Sequence, residues 1–272
     1  MSAVSFIPSE IGIGLGIVLL TGTSFFIVES IFNMLNTINN RYLQLLPYTA
    51  SSEDKEIVLQ QDVAKFPKAL PILPSDNETT GIEFAYSFYL SVNENTFDGE
   101  EKLHNVFYRG YPKNPWPLQS PGVYILGNVN TMRIIFNSYN AVYNYVDIEN
   151  IPIDKWFHVV LNFQNLILEV HVNGKLAKTL VFNNTLPYIN SENITIFSNI
   201  VKTVRTQPNQ GTSVIDFSTS IYGKLSNLIY TRYGLSYNEI QSLYKAGPSS
   251  KIAASAVMEA PPYFADSWWA NQ

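Results

Sequence analysis

Apolar residues follow two regimes along this chain. From Ile11 to Val28 they form a run of eighteen residues, IGIGLGIVLLTGTSFFIV, bounded by Glu10 and Glu29 and free of charge. Such a run rises about 27 Å as a helix, close to the roughly 30 Å hydrocarbon core of a bilayer. It reads as a transmembrane anchor built on Ile11, Leu15, Ile17, Val18, Leu19, Leu20, Phe25, Phe26, Ile27 and Val28. Only a helix satisfies its own backbone in lipid. Gly12 and Gly16 give it a small-residue face suited to contact with another helix. A cleaved signal peptide fits less well, because residues 1–10 carry no Lys or Arg and the apolar run is long. A buried core helix would show an amphipathic period, which this run lacks. Orientation is unspecified, since the first basic residue after the run is Arg41.

Residues 29–46 keep apolar positions at three and four spacing (Ile31, Leu35, Ile38, Leu45) and predict a helical continuation. Segment 1–46 is therefore expected to be anchor and juxtamembrane extension. Segment 47–80, polar and then punctuated by proline, is expected to be an extended linker.

Beyond Gly81 the period changes to two. Short runs such as 82–92, 104–110, 122–127, 131–138, 141–148, 155–163, 166–174, 176–182, 193–198, 213–218 and 224–234 alternate or cluster apolar residues between turn signals. Asn173-Gly174 is a strong hairpin signal. The expected fold class is all-β, two stacked antiparallel sheets over 81–248, preceded by one helix. A single helix should interrupt the strands near the end. Ser236 and Glu239 have capping-box spacing, Ile240, Leu243 and Tyr244 share a face, and Gly247 stops it. The tail, 249–272, carries Tyr263, Phe264, Trp268 and Trp269 among few charges and reads as a docking segment, since exposed aromatics invite association.

Composition sharpens this. Charged residues are only 14% of the 272, against about 25% in average soluble domains. Tyr and Phe, 17 and 16 in number, favour strands. The net charge of −5 gives no basic face for nucleic acid. With no cysteine, disulfides, thiolate metal sites and thiol nucleophiles are excluded.

Candidate chemistry is sparse. Glycoside hydrolysis needs two facing carboxylates, and the nearest pair, Asp147 and Glu149, stands before a turn, while Glu169 is alone. His104, His158 and His171 are scattered singly and read as structural. The loop 109–122 is the most unusual, with four prolines beside Arg109, Tyr111 and Trp116. Its aromatics could stack on a sugar or anchor a partner, or Trp116 could pack over the sheet edge.

The segment DKWFHVVLNFQNLILEVHVNGKLAKTLVF resembles the central hairpin of concanavalin A-like (LamG-type) jelly rolls, matching at Trp156, His158, Val172, Asn173 and Gly174. The closing segment is similar at Gly223, Leu225, Leu235, Ser236, Glu239, Ile240, Leu243, Tyr244 and Gly247. That fold hosts lectins, glycosidases, adhesion modules and scaffolds, so the resemblance implies architecture before function. Some members bind calcium. Here Asp98, Glu100, Glu101 and Asp216 form no recognisable ligand cluster, so calcium is compatible with the family and unsupported by these residues, and no other cofactor is implied. The combination of anchor and cysteine-free jelly roll is similar to minor capsid proteins of large icosahedral DNA viruses with an internal membrane, the chlorella-virus kind. That resemblance implies a non-enzymatic structural component of the virion, with membrane and capsid proteins as partners. The alternative is a membrane-displayed carbohydrate-binding protein whose partner is a glycan.

Overall fold

The computed structural model describes residues 9–77, 81–183, 185–206 and 213–252. The chain divides into two compact units, Met1–Tyr42 and Leu43–Gln272.

The first unit is helix α1 (Ser9–Arg41), 33 residues and about 50 Å long. Ile13, Ile17, Val18, Leu19, Leu20, Phe25, Phe26, Ile27 and Val28 are each more than half exposed, on all sides of the helix. Gly16 faces open space. The hydroxyls of this stretch turn inward: Thr21 Oγ1 donates to the Ile17 carbonyl at 3.0 Å, and Ser24 Oγ to the Thr21 carbonyl at 2.9 Å. The side chains of Ile11, Gly12 and Leu15 lie outside the described residues. Among the described residues, no helix is long and apolar enough to cross a membrane.

The helix ends at Arg41, short of the expected Leu46. Leu45 and Leu46 instead belong to β1 (Tyr42–Ser51), where both are buried. Their spacing satisfies a strand as well as a helix, and Pro47 disfavours αR geometry at Leu46. The expected linker also contributes β2 (Ile57–Leu59). Its proline-punctuated part lies against the sandwich: Tyr230 Oη donates to the Leu73 carbonyl at 3.0 Å, and Arg232 pairs with Asp76 at 2.7 Å.

Apart from β12, which no predicted run covers, the remaining strands follow the predicted positions closely. They are β3 (Phe84–Val92), β4 (Leu103–Arg109), β5 (Gly122–Leu126), β6 (Thr131–Phe136), β7 (Asn144–Glu149), β8 (Phe157–Gln164), β9 (Ile167–Val172) and β10 (Lys175–Val181). After them come β11 (Ile194–Ile196), β12 (Lys202–Thr206), β13 (Ser213–Ser220), β14 (Gly223–Thr231) and helix α2 (Tyr237–Ala246). One sheet has the order β1-β14-β3-β8-β9-β10; the other runs β12-β13-β4-β5-β6-β7, with β11 joined to β4 and β2 joined to β11. Pairing is antiparallel throughout the described ladders except where β13 runs parallel to β4. The result is an all-β, two-sheet sandwich of the jelly-roll kind.

Alternation places the core. On β3, Phe84, Tyr86, Phe88, Leu90 and Val92 point between the sheets, and on β8 Phe157, Val159, Leu161 and Phe163 do the same. They meet Val106, Val123, Ile125, Met132, Ile134 and Phe136 from the facing sheet. Asn173 and Gly174 both have positive φ, 50° and 76°, as a tight β9–β10 hairpin requires.

Helix α2 covers part of the outer face of the first sheet. Ser236 and Glu239 form the predicted capping box. Leu235 and Ile240 bury Ala85 and Val160. At the other end, Tyr89 Oη donates to the Leu243 carbonyl at 2.8 Å and accepts the Gly247 N–H at 2.9 Å.

Candidate functional site

The 109–122 loop is more structural than its aromatics suggest. Arg109 is the last residue of β4 and only 2% exposed; its guanidinium lies 3.4 Å from the Glu192 carbonyl and 3.5 Å from Tyr86 Oη. It is not presented to a ligand. Trp116 folds back, meeting Tyr143 edge-on at 5.9 Å between centroids and packing against the buried cluster that includes Tyr108, Tyr124, Ile135 and Phe217. Tyr111 alone of the three is well exposed. Tyr263, Phe264, Trp268 and Trp269 lie outside the described residues.

The acidic pairs are occupied by cations. Arg133 grips Asp147 with two bonds, 2.7 and 2.6 Å, and Lys178 holds Glu149 at 2.9 Å. Glu169 lies 3.1 Å from His171. His158 sits under α2, with Nε2 2.8 Å from Ser87 Oγ and its ring 4.7 Å from that of Tyr89. Burial pushes its pKa down to about 4, and His171 adds to the fall. In His104, burial likewise lowers the pKa, against the opposing pull of Asp98. Among the described residues, no group of three or more acidic or histidine side chains could hold a metal ion.

A different surface offers an open, polar cleft of about 430 Å³ at one end of the first sheet. It is assembled from four segments that the strand order β1-β14-β3-β8 brings side by side. Lys224 on β14 pairs with Ser91 on β3. Trp156 immediately precedes Phe157, the residue of β8 that pairs with Leu90. Ser51, Ser52 and Glu53 close the β14 side, and Asn93, Asn95, Asp154 and Tyr222 form the rim. Trp156 and Tyr222 are 37% and 57% exposed.

Backbone and side-chain bonds fix this rim. The Asn93 N–H donates to the Tyr222 carbonyl at 2.7 Å, and that of Asp154 donates to the Val92 carbonyl at 2.8 Å. Thr96 Oγ1 donates to the Tyr222 carbonyl at 3.1 Å and accepts its N–H at 3.0 Å. Ser52 and Gly223 exchange two bonds of 2.9 Å each. Asn93 Nδ2 donates to Asp154 Oδ1 at 2.8 Å, orienting a carboxylate that stays exposed. A bound ligand would meet groups already held in place, which lowers the ordering cost of binding. Sequence reasoning singled out Trp156 and Gly223 here, both as parts of fold motifs. Asn93, Asp154 and Tyr222 lie far apart in the chain and carry no local signature.

No family model matches the chain, and no curated protein matches it. Among solved structures, the receptor-binding domain of botulinum neurotoxin D is similar at a TM-score of 0.50 and 12% identity, covering 73% of this chain and 43% of that one. The botulinum neurotoxin serotype D binding domain gives 0.50 and 12%, over 73% and 41%. A Trypanosoma rangeli sialidase reaches only 0.38 at 17% identity, over 60% and 22%, and that likeness carries no argument. The chain thus spans less than half the length of these structures. At such identities what is shared with the toxin domains is the fold alone, a two-sheet sandwich.

Proposed function

We propose that this chain is a non-enzymatic component of a membrane-containing assembly, tethered to a bilayer through α1 and presenting the sandwich as a recognition or scaffolding unit. The observation that carries this reading is the exposure of apolar side chains around α1 from Ile17 to Phe32. A water-facing helix of a globular protein has one apolar stripe and a polar face; this one has no polar face over that stretch apart from small hydroxyls and Glu29. Lipid is the solvent that suits such a surface, and the inward bonds of Thr21, Thr23 and Ser24 satisfy those three hydroxyls within the helix. The complete span, Ile11 to Val28, is taken from the sequence. The non-enzymatic part is supported by the engagement of Asp147 by Arg133 and Glu149 by Lys178.

Alkaline extraction tests the tether. The full chain should stay with membranes after carbonate washing, and a chain lacking residues 1–41 should be released. A full chain that washes off, or a truncated one that stays, removes the reading. In its narrower form, taken from the sequence resemblance, the assembly is a large DNA virus and the chain links an inner viral membrane to the capsid shell. Cross-linking of purified particles should then join the sandwich to a shell protein; cross-links confined to other copies of this chain would remove that form alone.

A further inference from the structure

We infer that the cleft bordered by Trp156 and Tyr222 is a carbohydrate-binding site, taking one or two pyranose rings. Three features together point to this ligand class. First, the cleft of about 430 Å³ has the size of small-molecule sites, roughly 300–1,000 Å³, yet most of its lining is polar. An apolar ligand would bury little against apolar surface there and leave amides and carboxylates desolvated. Second, two aromatic side chains line the cleft, and both keep a large part of their surface in solvent. A pyranose presents a flat patch of C–H groups that stacks on such a ring, and its equatorial hydroxyls point sideways towards polar neighbours. Third, those neighbours alternate acceptors and donors. Asp154 and Glu53 accept, Lys224 donates, and Ser91 and Asn95 do either.

Charge argues against the nearest rival. With two carboxylates against one ammonium, the cleft carries net negative charge and disfavours phosphate and sulfate groups, and its mixed donors and acceptors suit a neutral polyhydroxylated molecule. Asp154 is the orienting acceptor. One oxygen takes the Asn93 amide, and the other has no protein partner among the described residues, which leaves it for a pair of hydroxyls. The position of Trp156 follows from the sheet itself: it is one residue outside the β8 ladder, in the same outward-facing register as His158.

The inference stands apart from the membrane tether, because every lining residue belongs to the unit Leu43–Gln272. Failure of sugar binding leaves carbonate extraction unchanged, and failure of extraction leaves sugar binding unchanged.

The test uses the full chain in a zwitterionic detergent without a sugar headgroup. Methyl glycosides of glucose, galactose, mannose and N-acetylglucosamine, with maltotriose and diacetylchitobiose, are the probes in saturation-transfer difference NMR. At least one should give a saturable signal concentrated on one face of a pyranose ring. Trp156→Ala should weaken its binding at least tenfold, and Asp154→Asn, which keeps the shape of the rim, should do so severalfold. Trp116→Ala should leave the affinity unchanged. Thermal unfolding of each variant checks folding, and Asp154→Asn carries the test should Trp156→Ala fail to fold. No saturable signal with any probe overturns the inference. So does binding that survives both cleft substitutions or that Trp116→Ala abolishes, which would place the sugar on the other sheet.

Discussion

Ser87 Oγ lies 2.8 Å from Nε2 of His158, across the β3–β8 ladder and beneath helix α2. The imidazole is fully buried, between the rings of Tyr89 and Tyr244, and no carboxylate neutralises it there. It is therefore held neutral, and this has a consequence for stability against pH.

The His158 pKa in the folded chain is about 4, below the ordinary value of 6.5. Between these values the unfolded chain binds the proton and the folded chain does not. Stability should therefore fall as pH drops through the window from 6.5 to 4 and level off below it, by roughly 3 kcal/mol in all. Urea midpoints across that range should show the slope, and His158→Gln should flatten it. An unchanged slope in the variant would assign the titration to other groups, His104 first.

Tyr89 ties the C-terminus of α2 to the sheet by accepting the Gly247 N–H and donating to the Leu243 carbonyl. Removing the hydroxyl leaves those groups without their partner, so Tyr89→Phe should cost about 1–2 kcal/mol. Amide exchange should locate the loss: Gly247 should lose protection while β8 keeps its own. A variant as stable as the parent would mean that water replaces the hydroxyl at no cost.

Gly223 begins β14 at the floor of the cleft. A Cβ there would stand 2.2 Å from the Ser91 carbonyl oxygen, a backbone atom of the paired strand. Gly223→Ala must push β14 away from β3, and a loss of about 1–3 kcal/mol is expected. Chemical denaturation reads it. A loss below about 0.5 kcal/mol would show that this end of the sheet yields freely, and with it the rim around Tyr222.

These relationships were legible in the sequence to different degrees. Inner-face alternation on β3 and β8 declared the sandwich, and Ser236 with Glu239 declared the start of α2. The strand β1 was hidden because Leu43, Leu45 and Leu46 also fit the helical spacing that precedes them. β12 was hidden because KTVRT at a sheet edge has little to bury beyond Val204. Arg109 looked like a loop residue because sequence does not say on which side of a sheet its last residue falls. The cleft was least legible of all. Asn93, Asp154 and Tyr222 meet only because β14, β3 and β8 are neighbours, and strand order is a long-range property that no local pattern encodes.

The helix offers the remaining prediction. Leu19 lies near the middle of the apolar run and is 66% exposed, so it is no part of the buried core. In water, Leu19→Asp should be harmless or even solubilising. In a bilayer, a carboxylate at the centre of a span costs about 2.5–3.5 kcal/mol. The two environments thus predict opposite signs for one substitution. Leu19→Asp should release a large fraction of the full chain from membranes on carbonate extraction, and a second substitution, Leu20→Asp, should complete the release. The cooperative melt of the sandwich should stay unchanged, since its core residues lie in the other unit. If the chain carrying both substitutions remains in the membrane pellet, α1 is not what holds it there.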